Sequence, residues 1–127
     1  MPLEKYINSR ESNAPSITIR RNASISFNIT ARKQFQINKS RFVTLHFDKE
    51  NLEIGIRPTN DKNEAGIFHI NQKRGKTPII YCKSFLDRVE IRYTDEPIIL
   101  AVHWDPKIGM IIARLSVSAN TQTRSPD

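Results

Sequence analysis

An α+β domain of mainly antiparallel sheet with two short helices is the fold class this sequence predicts, and three observations predict it. Short stretches of alternating apolar residues recur along the chain, the mark of half-buried strands. Two long segments align with each other without a gap, so the strands come in two matching sets. The 127 residues, 38% hydrophobic and 26% charged, suit one folded domain and are too apolar for a disordered chain.

The elements follow in order. Ile17-Thr-Ile-Arg20 and Ile25-Ser-Phe27 read as strands joined by the turn Arg21-Asn-Ala23. A short helix is expected next, with Asn28 as its N-cap, since an Asn oxygen can accept from an unpaired amide of the first turn. Phe35 falls on the buried side of that helix. Val43–Phe47 and Ile54–Arg57 alternate around a turn opened by Asp48, whose carboxylate can bond backbone two residues on. Thr59-Asn-Asp-Lys-Asn-Glu-Ala65 reads as a linker. Beyond it come a strand at Ile67–Asn71, the turn Gln72–Thr77 and a strand ending at Tyr81. A second helix has Val89 on its buried side and, in Ser84-Phe-Leu-Asp87, a sequence like a capping box. Strands at 98–104 and 110–115, turning at Asp105, complete the chain.

The internal match rests on identities. Thr44-Leu-His-Phe-Asp-Lys-Glu-Asn-Leu-Glu-Ile-Gly-Ile-Arg57 lies over Ala101-Val-His-Trp-Asp-Pro-Lys-Ile-Gly-Met-Ile-Ile-Ala-Arg114, with His-aromatic-Asp and the final Arg in common. Upstream, residues 25–37 correspond loosely to residues 79–91. Each half then reads β-β-α-β-β, about 50 residues long and too small to bury a core alone. The expected organisation is a single α+β domain over 16–115, with pseudo-repeats at 16–58 and 66–115. Residues 1–15 and 116–127, polar and rich in Pro, Ser and Asn, are expected to be flexible tails.

Charge gives the main functional indication. The chain carries a net +7 and has a pI near 9.9. Lys5 and Arg10 offset Glu4 and Glu11, and Arg124 offsets Asp127, so the whole excess belongs to residues 16–115. That excludes a basic arm on a neutral domain. Arg20 and Arg21 fall at one turn; Lys73, Arg74 and Lys76 fall at its counterpart. Arg32 and Lys33 lie on the first helix, with Lys39 and Arg41 just after it, while Lys83, Arg88 and Arg92 surround the second. Clusters of this kind neutralise phosphate backbones. Phe42, Tyr93 and Tyr81 are the candidate aromatics for stacking bases.

Strand alternation assigns the faces. In the first half Ile17, Ile19, Ile25, Phe27, Val43, Leu45, Phe47, Ile54 and Ile56 point inward. Thr18, Arg20, Ser24, Ser26, Thr44, His46, Glu53, Gly55 and Arg57 form a wet outer face. The second half has Leu100, Val102, Trp104, Ile111, Ala113 and Leu115 inside, yet Ile99, Ala101, Met110 and Ile112 outside. That outer apolar set needs covering, by the chain itself or by a second copy in a homo-oligomer.

Other motifs carry less. His46 and His103 each precede an Asp by two residues, but a zinc site needs more ligands, and the expectation is a corner histidine bonding that Asp. Gly75-Lys-Thr77 matches the end of a phosphate-binding loop without the earlier glycine or the following helix. Cys82, the only cysteine, precludes an internal disulfide and is expected to be structural rather than reactive. No Ser/His/Asp order or paired-carboxylate spacing points to catalysis, so a non-enzymatic protein without cofactor or metal is expected. No apolar run approaches a membrane span of about 18 residues. The first ten residues lack a signal-peptide core, and the expected location is cytoplasmic, with no membrane partner.

The segments SITIRRNASISFNITARKQF, LHFDKENLEIGIRPTND and HWDPKIGMI resemble a group of small uncharacterised cyanobacterial proteins with the Whirly-like, single-stranded-DNA-binding transcriptional regulator fold. The resemblance spans residues 16–115. It implies a Whirly-like sheet, binding of single-stranded nucleic acid and a regulatory role. In Whirly proteins a Lys-Gly-Lys-Ala-Ala-Leu segment is associated with DNA binding and assembly. Arg74-Gly-Lys-Thr-Pro-Ile79 is similar, with Thr-Pro replacing Ala-Ala, and the resemblance thereby adds Gly75 to Arg74 and Lys76. The functional expectation is a module for single-stranded DNA or RNA acting through Arg20, Arg21, Arg32, Lys33, Lys39, Arg41, Lys73, Arg74, Gly75 and Lys76. The alternative is an interaction or assembly module that self-associates through Ile99, Ala101, Met110 and Ile112.

Overall fold

The computed structural model describes residues 14–72 and 77–115. Both terminal segments and the expected binding residues Lys73, Arg74, Gly75 and Lys76 lie outside the described residues. Eight strands form one sheet: β1 (Ser16–Arg20), β2 (Ser24–Phe27), β3 (Phe42–Asp48), β4 (Glu53–Thr59), β5 (Ile67–His69), β6 (Ile79–Tyr81), β7 (Ile98–Asp105) and β8 (Met110–Arg114). Helix α1 (Ile29–Gln34) and a 3-10 turn (Ile37–Lys39) lie between β2 and β3; α2 (Lys83–Arg88) lies between β6 and β7.

The strand order is β5-β3-β4-β8-β7-β1-β2-β6, and every named pair is antiparallel. The two outermost strands nearly meet. Just beyond β5, Asn71 exchanges both backbone hydrogen bonds with Ile79 of β6, at 2.8 and 3.0 Å. The sheet therefore curls into an almost closed barrel, which leaves little edge to attract another strand.

Inward-facing residues fill it as alternation requires. Ile17, Ile19, Ile25, Val43, Ile54, Ile56, Ile80 and Ile111 are wholly buried, and each contributes about 1.5–3 kcal/mol by leaving water. Ala31 and Phe35 of the α1 segment join this core at one end, and Leu86 and Phe85 of α2 join it as well. Because neighbouring strands run in opposite directions, the β2-to-β3 connection with α1, the C-terminal end of β5, the start of β6 and the β7–β8 turn share one end of the barrel. The β1–β2 and β3–β4 turns and the α2 connection share the other.

Local chemistry explains the helix starts. Asn28 caps α1: its Oδ1 accepts from the Ala31 amide at 2.8 Å and from the Ser16 amide at 3.1 Å, while its Nδ2 donates to the Ala14 carbonyl at 2.9 Å. At α2 the expected capping box does not form. Cys82 occupies the cap position without a side-chain bond, and Ser84 and Asp87 lie inside the helix. Asp87 instead accepts from Lys83 at 2.7 Å and from the Tyr93 hydroxyl at 2.8 Å. The turn aspartates behave as expected. Asp48 accepts from the amides of Glu50 and Asn51, and Asp105 from that of Lys107.

The outer face departs from expectation. Ser24, Ser26 and Thr44 point outward yet are almost fully buried. Arg20 folds back along the sheet, its Nε donating to Ser26 Oγ at 3.1 Å, and Ser24 donates to Asn22. His46 lies on Thr44, with Nε2 2.8 Å from Oγ1, rather than bonding Asp48, whose carboxylate is taken up by its own turn. Gly55 is buried because Met110 crosses it; a Cβ there would sit 2.9 Å from the Met110 Sδ. Ile112 lies against the same spot and exposes only 7% of its surface. None of the helices described is long and apolar enough to cross a membrane.

Candidate nucleic-acid interface

Strand direction sorts the expected basic residues into two groups. Arg32 and Lys33 occupy the last turn of α1, Lys39 ends the 3-10 turn and Arg41 precedes β3, all at the α1 end of the barrel. Lys107, in the β7–β8 turn, reaches the same end. Arg20 and Arg21, at the β1–β2 turn, are at the opposite end. They are not brought together with the others.

Backbone contacts hold the α1-end group in place. The Lys39 carbonyl accepts from Asn60 Nδ2 at 3.2 Å, and the Arg41 amide donates to Asn60 Oδ1 at 2.8 Å. The Ser40 carbonyl between them accepts from Gln72 Nε2 at 3.0 Å. The Lys39 and Arg41 side chains remain exposed. Arg41 lies with its guanidinium carbon 5.9 Å from the centre of the Phe42 ring, within cation–π range.

The two ends differ in sign. The sequence contains no Asp or Glu between Glu11 and Asp48, a stretch that supplies Arg32, Lys33, Lys39 and Arg41. Of the nearest carboxylates, Asp105 is engaged by the Lys107 amide and Asp61 by that of Asn63. At the α2 end Asp48, Glu50, Asp87, Glu90, Asp95 and Glu96 are interspersed with the cations. Ion pairs there use up more of the charge, Lys83 with Asp87 and Arg114 with Glu53 at 3.2 Å, while Arg57 pairs with Glu64 on the α1 side. Lys83 and then Tyr93 hold the Asp87 carboxyl below its ordinary value. Among the described residues the α1 end holds Arg32, Lys33, Lys39, Arg41 and Lys107 against Asp61, Glu64 and Asp105, an excess of positive charge.

Two of the three expected stacking aromatics are unavailable. Phe42 is buried edge-on against His69, with ring centres 5.0 Å apart, and Tyr93 is buried with its hydroxyl on Asp87. Tyr81 is 53% exposed, on the outer face of β6 opposite Ser24. The aromatic that alternation had placed inside, Trp104, is 44% exposed. It has the inward phase of β7, next to buried Val102, but sits near the strand's end where α1 covers only part of the indole. It lines an open cleft of about 470 Å3 with Gln34, Phe35 and Gln36. Nothing in the strand pattern marked Trp104.

The oligomer candidates also divide. Ile99 and Ala101 are exposed on β7, Met110 is half-buried and Ile112 is covered. Ile99 and Ala101 border an outer-face groove of about 690 Å3 floored by Ser16, Thr18 and Ser26, with exposed Ile29 beside it.

Burial pushes the Cys82 thiol up to about 12, so it holds its proton. Among the described residues no group of three His, Cys, Asp or Glu side chains is placed to hold a metal. No protein-family model matches the chain, and no curated protein or solved structure matches it.

Proposed function

We propose that this protein binds single-stranded nucleic acid at the α1 end of its barrel. The observation that carries the reading is the collection of Arg32, Lys33, Lys39, Arg41 and Lys107 at one end, where among the described residues they outnumber the carboxylates Asp61, Glu64 and Asp105. Phosphates passing over that end would displace counterions from the excess of cations. An exposed indole at the same end supports a single strand over a duplex, whose bases are already stacked. Arg20 and Arg21 then serve the outer face, where Arg20 is already committed to Ser26.

The reading includes the internal duplication and, with it, the Whirly-like ancestry that the sequence resembles. Backbone conformation supports the duplication. Gln36 and Glu90 match in the upstream alignment, and both adopt left-handed φ, 54° and 62°. Leu52 and Gly109 match in the hairpin alignment, with φ of 55° and 68°. Exchanging β1–β4 with β5–β8 also returns the same set of neighbours around the sheet.

Anisotropy of a fluorescent single strand, titrated at two salt concentrations beside a duplex of the same length, tests the function. Tighter binding of the single strand that weakens as salt rises supports it. Absence of binding at low salt refutes it.

A second reading, self-association through β7, is favoured by the exposure of Ile99 (71%) and Ile29 (54%) at the outer groove. Light scattering should then show an oligomer that Ile99→Asp dissociates. A monomeric parent would remove this reading and leave the first intact.

A further inference from the structure

We infer that the Trp104 cleft is a base pocket, taking one unpaired purine of the bound strand with its ring stacked on the indole and its edge toward Gln34 and Gln36. The inference rests on the preceding reading and specifies its ligand.

Four side chains make the cleft, and each has a suited property. The indole is held by β7, where Trp104 pairs with buried Ile111, so its position is fixed by the sheet rather than by a loop. Phe35 packs against the core and forms an apolar wall. Gln34 ends α1, and Gln36 follows in a left-handed conformation between the helix and the 3-10 turn. Neither carboxamide has a hydrogen-bond partner among the described residues. Each therefore offers both a donor and an acceptor to a ligand. A volume of about 470 Å3 suits a small organic group.

That set of groups selects a chemical class. An aromatic face with uncharged donors and acceptors, and no charged residue in the lining, fits a flat, neutral, hydrogen-bonding ring. The charges lie around the cleft instead: Arg32 and Lys33 just before Gln34, and Lys107 three residues beyond Trp104. A nucleobase attached to its phosphates has that same distribution, a neutral ring with anionic neighbours. A purine covers both rings of the indole, and a carboxamide can meet adenine at N6 and N7 together. A base already paired in a duplex has no free face to present.

Trp104 is the only tryptophan, so the protein's indole emission reports this cleft alone. Oligo-dA, oligo-dT and abasic strands of equal length carry the same phosphates and separate base from backbone. Oligo-dA should quench the emission more than oligo-dT, and the abasic strand should leave it unchanged while still binding by anisotropy. Trp104→Leu should weaken oligo-dA binding about 5- to 150-fold, the equivalent of one lost stack, and leave abasic binding as it was. Trp104→Phe should recover most of the loss. Equal quenching by the abasic strand, or equal loss of all three strands in Trp104→Leu, overturns the pocket; equal quenching by oligo-dT overturns the purine assignment. Equal binding of all three strands by the parent overturns the pocket but keeps the function, whereas binding of none overturns both.

Discussion

Asn28→Ala is the substitution whose cost can be followed bond by bond. The side chain makes three hydrogen bonds: to the Ala31 amide, where it caps α1, to the Ser16 amide at the start of β1, and to the Ala14 carbonyl. Losing a cap costs about 1 kcal/mol. Leaving the part-buried Ser16 amide without its acceptor costs about another 1 kcal/mol, and the exposed bond to Ala14 adds about 0.5 kcal/mol or less. The expected loss is about 2–3 kcal/mol, a large share of the roughly 5–15 kcal/mol that holds a domain together. Asn28→Asp keeps both acceptor bonds and gains charge attraction to the helix N-terminus, so it should cost under about 1 kcal/mol. Urea unfolding followed by circular dichroism measures both, the comparison being valid if the m-value is unchanged. A loss below about 0.5 kcal/mol for Asn28→Ala would refute the reasoning, as would equal losses for the two variants. Since α1 carries Arg32, Lys33 and Gln34, Asn28→Ala should weaken strand binding as well as stability.

Two further outcomes follow from the surroundings of single titratable groups. Cys82 is 1% exposed with its pKa pushed up to about 12, so a thiol reagent at neutral pH should label it only as the chain unfolds; fast labelling of the native protein contradicts the packing. Desolvation, and then Arg57, lower the His46 pKa below its usual 6.5. The folded state therefore binds fewer protons than the unfolded one, so stability should fall as pH drops through about 6.5 toward the folded pKa. His46→Gln should reduce that slope, and an unchanged slope in thermal melts would contradict the assignment.

What the sequence revealed was local. Period-two alternation located all eight strands to within a few residues, because each has one face in the barrel interior. Asn28 was legible as a cap because its role depends on the amide three residues on, whereas Ser84 and Asp87 mimicked a capping box one turn too late. What stayed hidden depended on closure of the sheet. Arg20 folding over Ser26, and Met110 filling the space above Gly55, cover part of an apparently wet face. The exposure of Trp104 reflects where β7 ends relative to α1. Alternation reports which way a side chain points, not whether anything lies beyond it. Likewise the separation of Arg20 and Arg21 from Arg32, Lys33, Lys39 and Arg41 follows from antiparallel strand direction, which charge counting does not see.

The most direct test is the salt dependence of single-strand binding, apportioned between the two ends of the barrel. If Arg32, Lys33, Lys39, Arg41 and Lys107 each neutralise a phosphate, log K should fall with log salt at a slope of about −3.5, roughly a hundredfold between 50 and 200 mM. The double variant Lys39→Ala, Lys107→Ala should reduce that slope by about 1.4, whereas Arg20→Ala, Arg21→Ala should leave it unchanged. A slope near zero, or an equal reduction from the Arg20 and Arg21 pair, would contradict a binding surface at the α1 end.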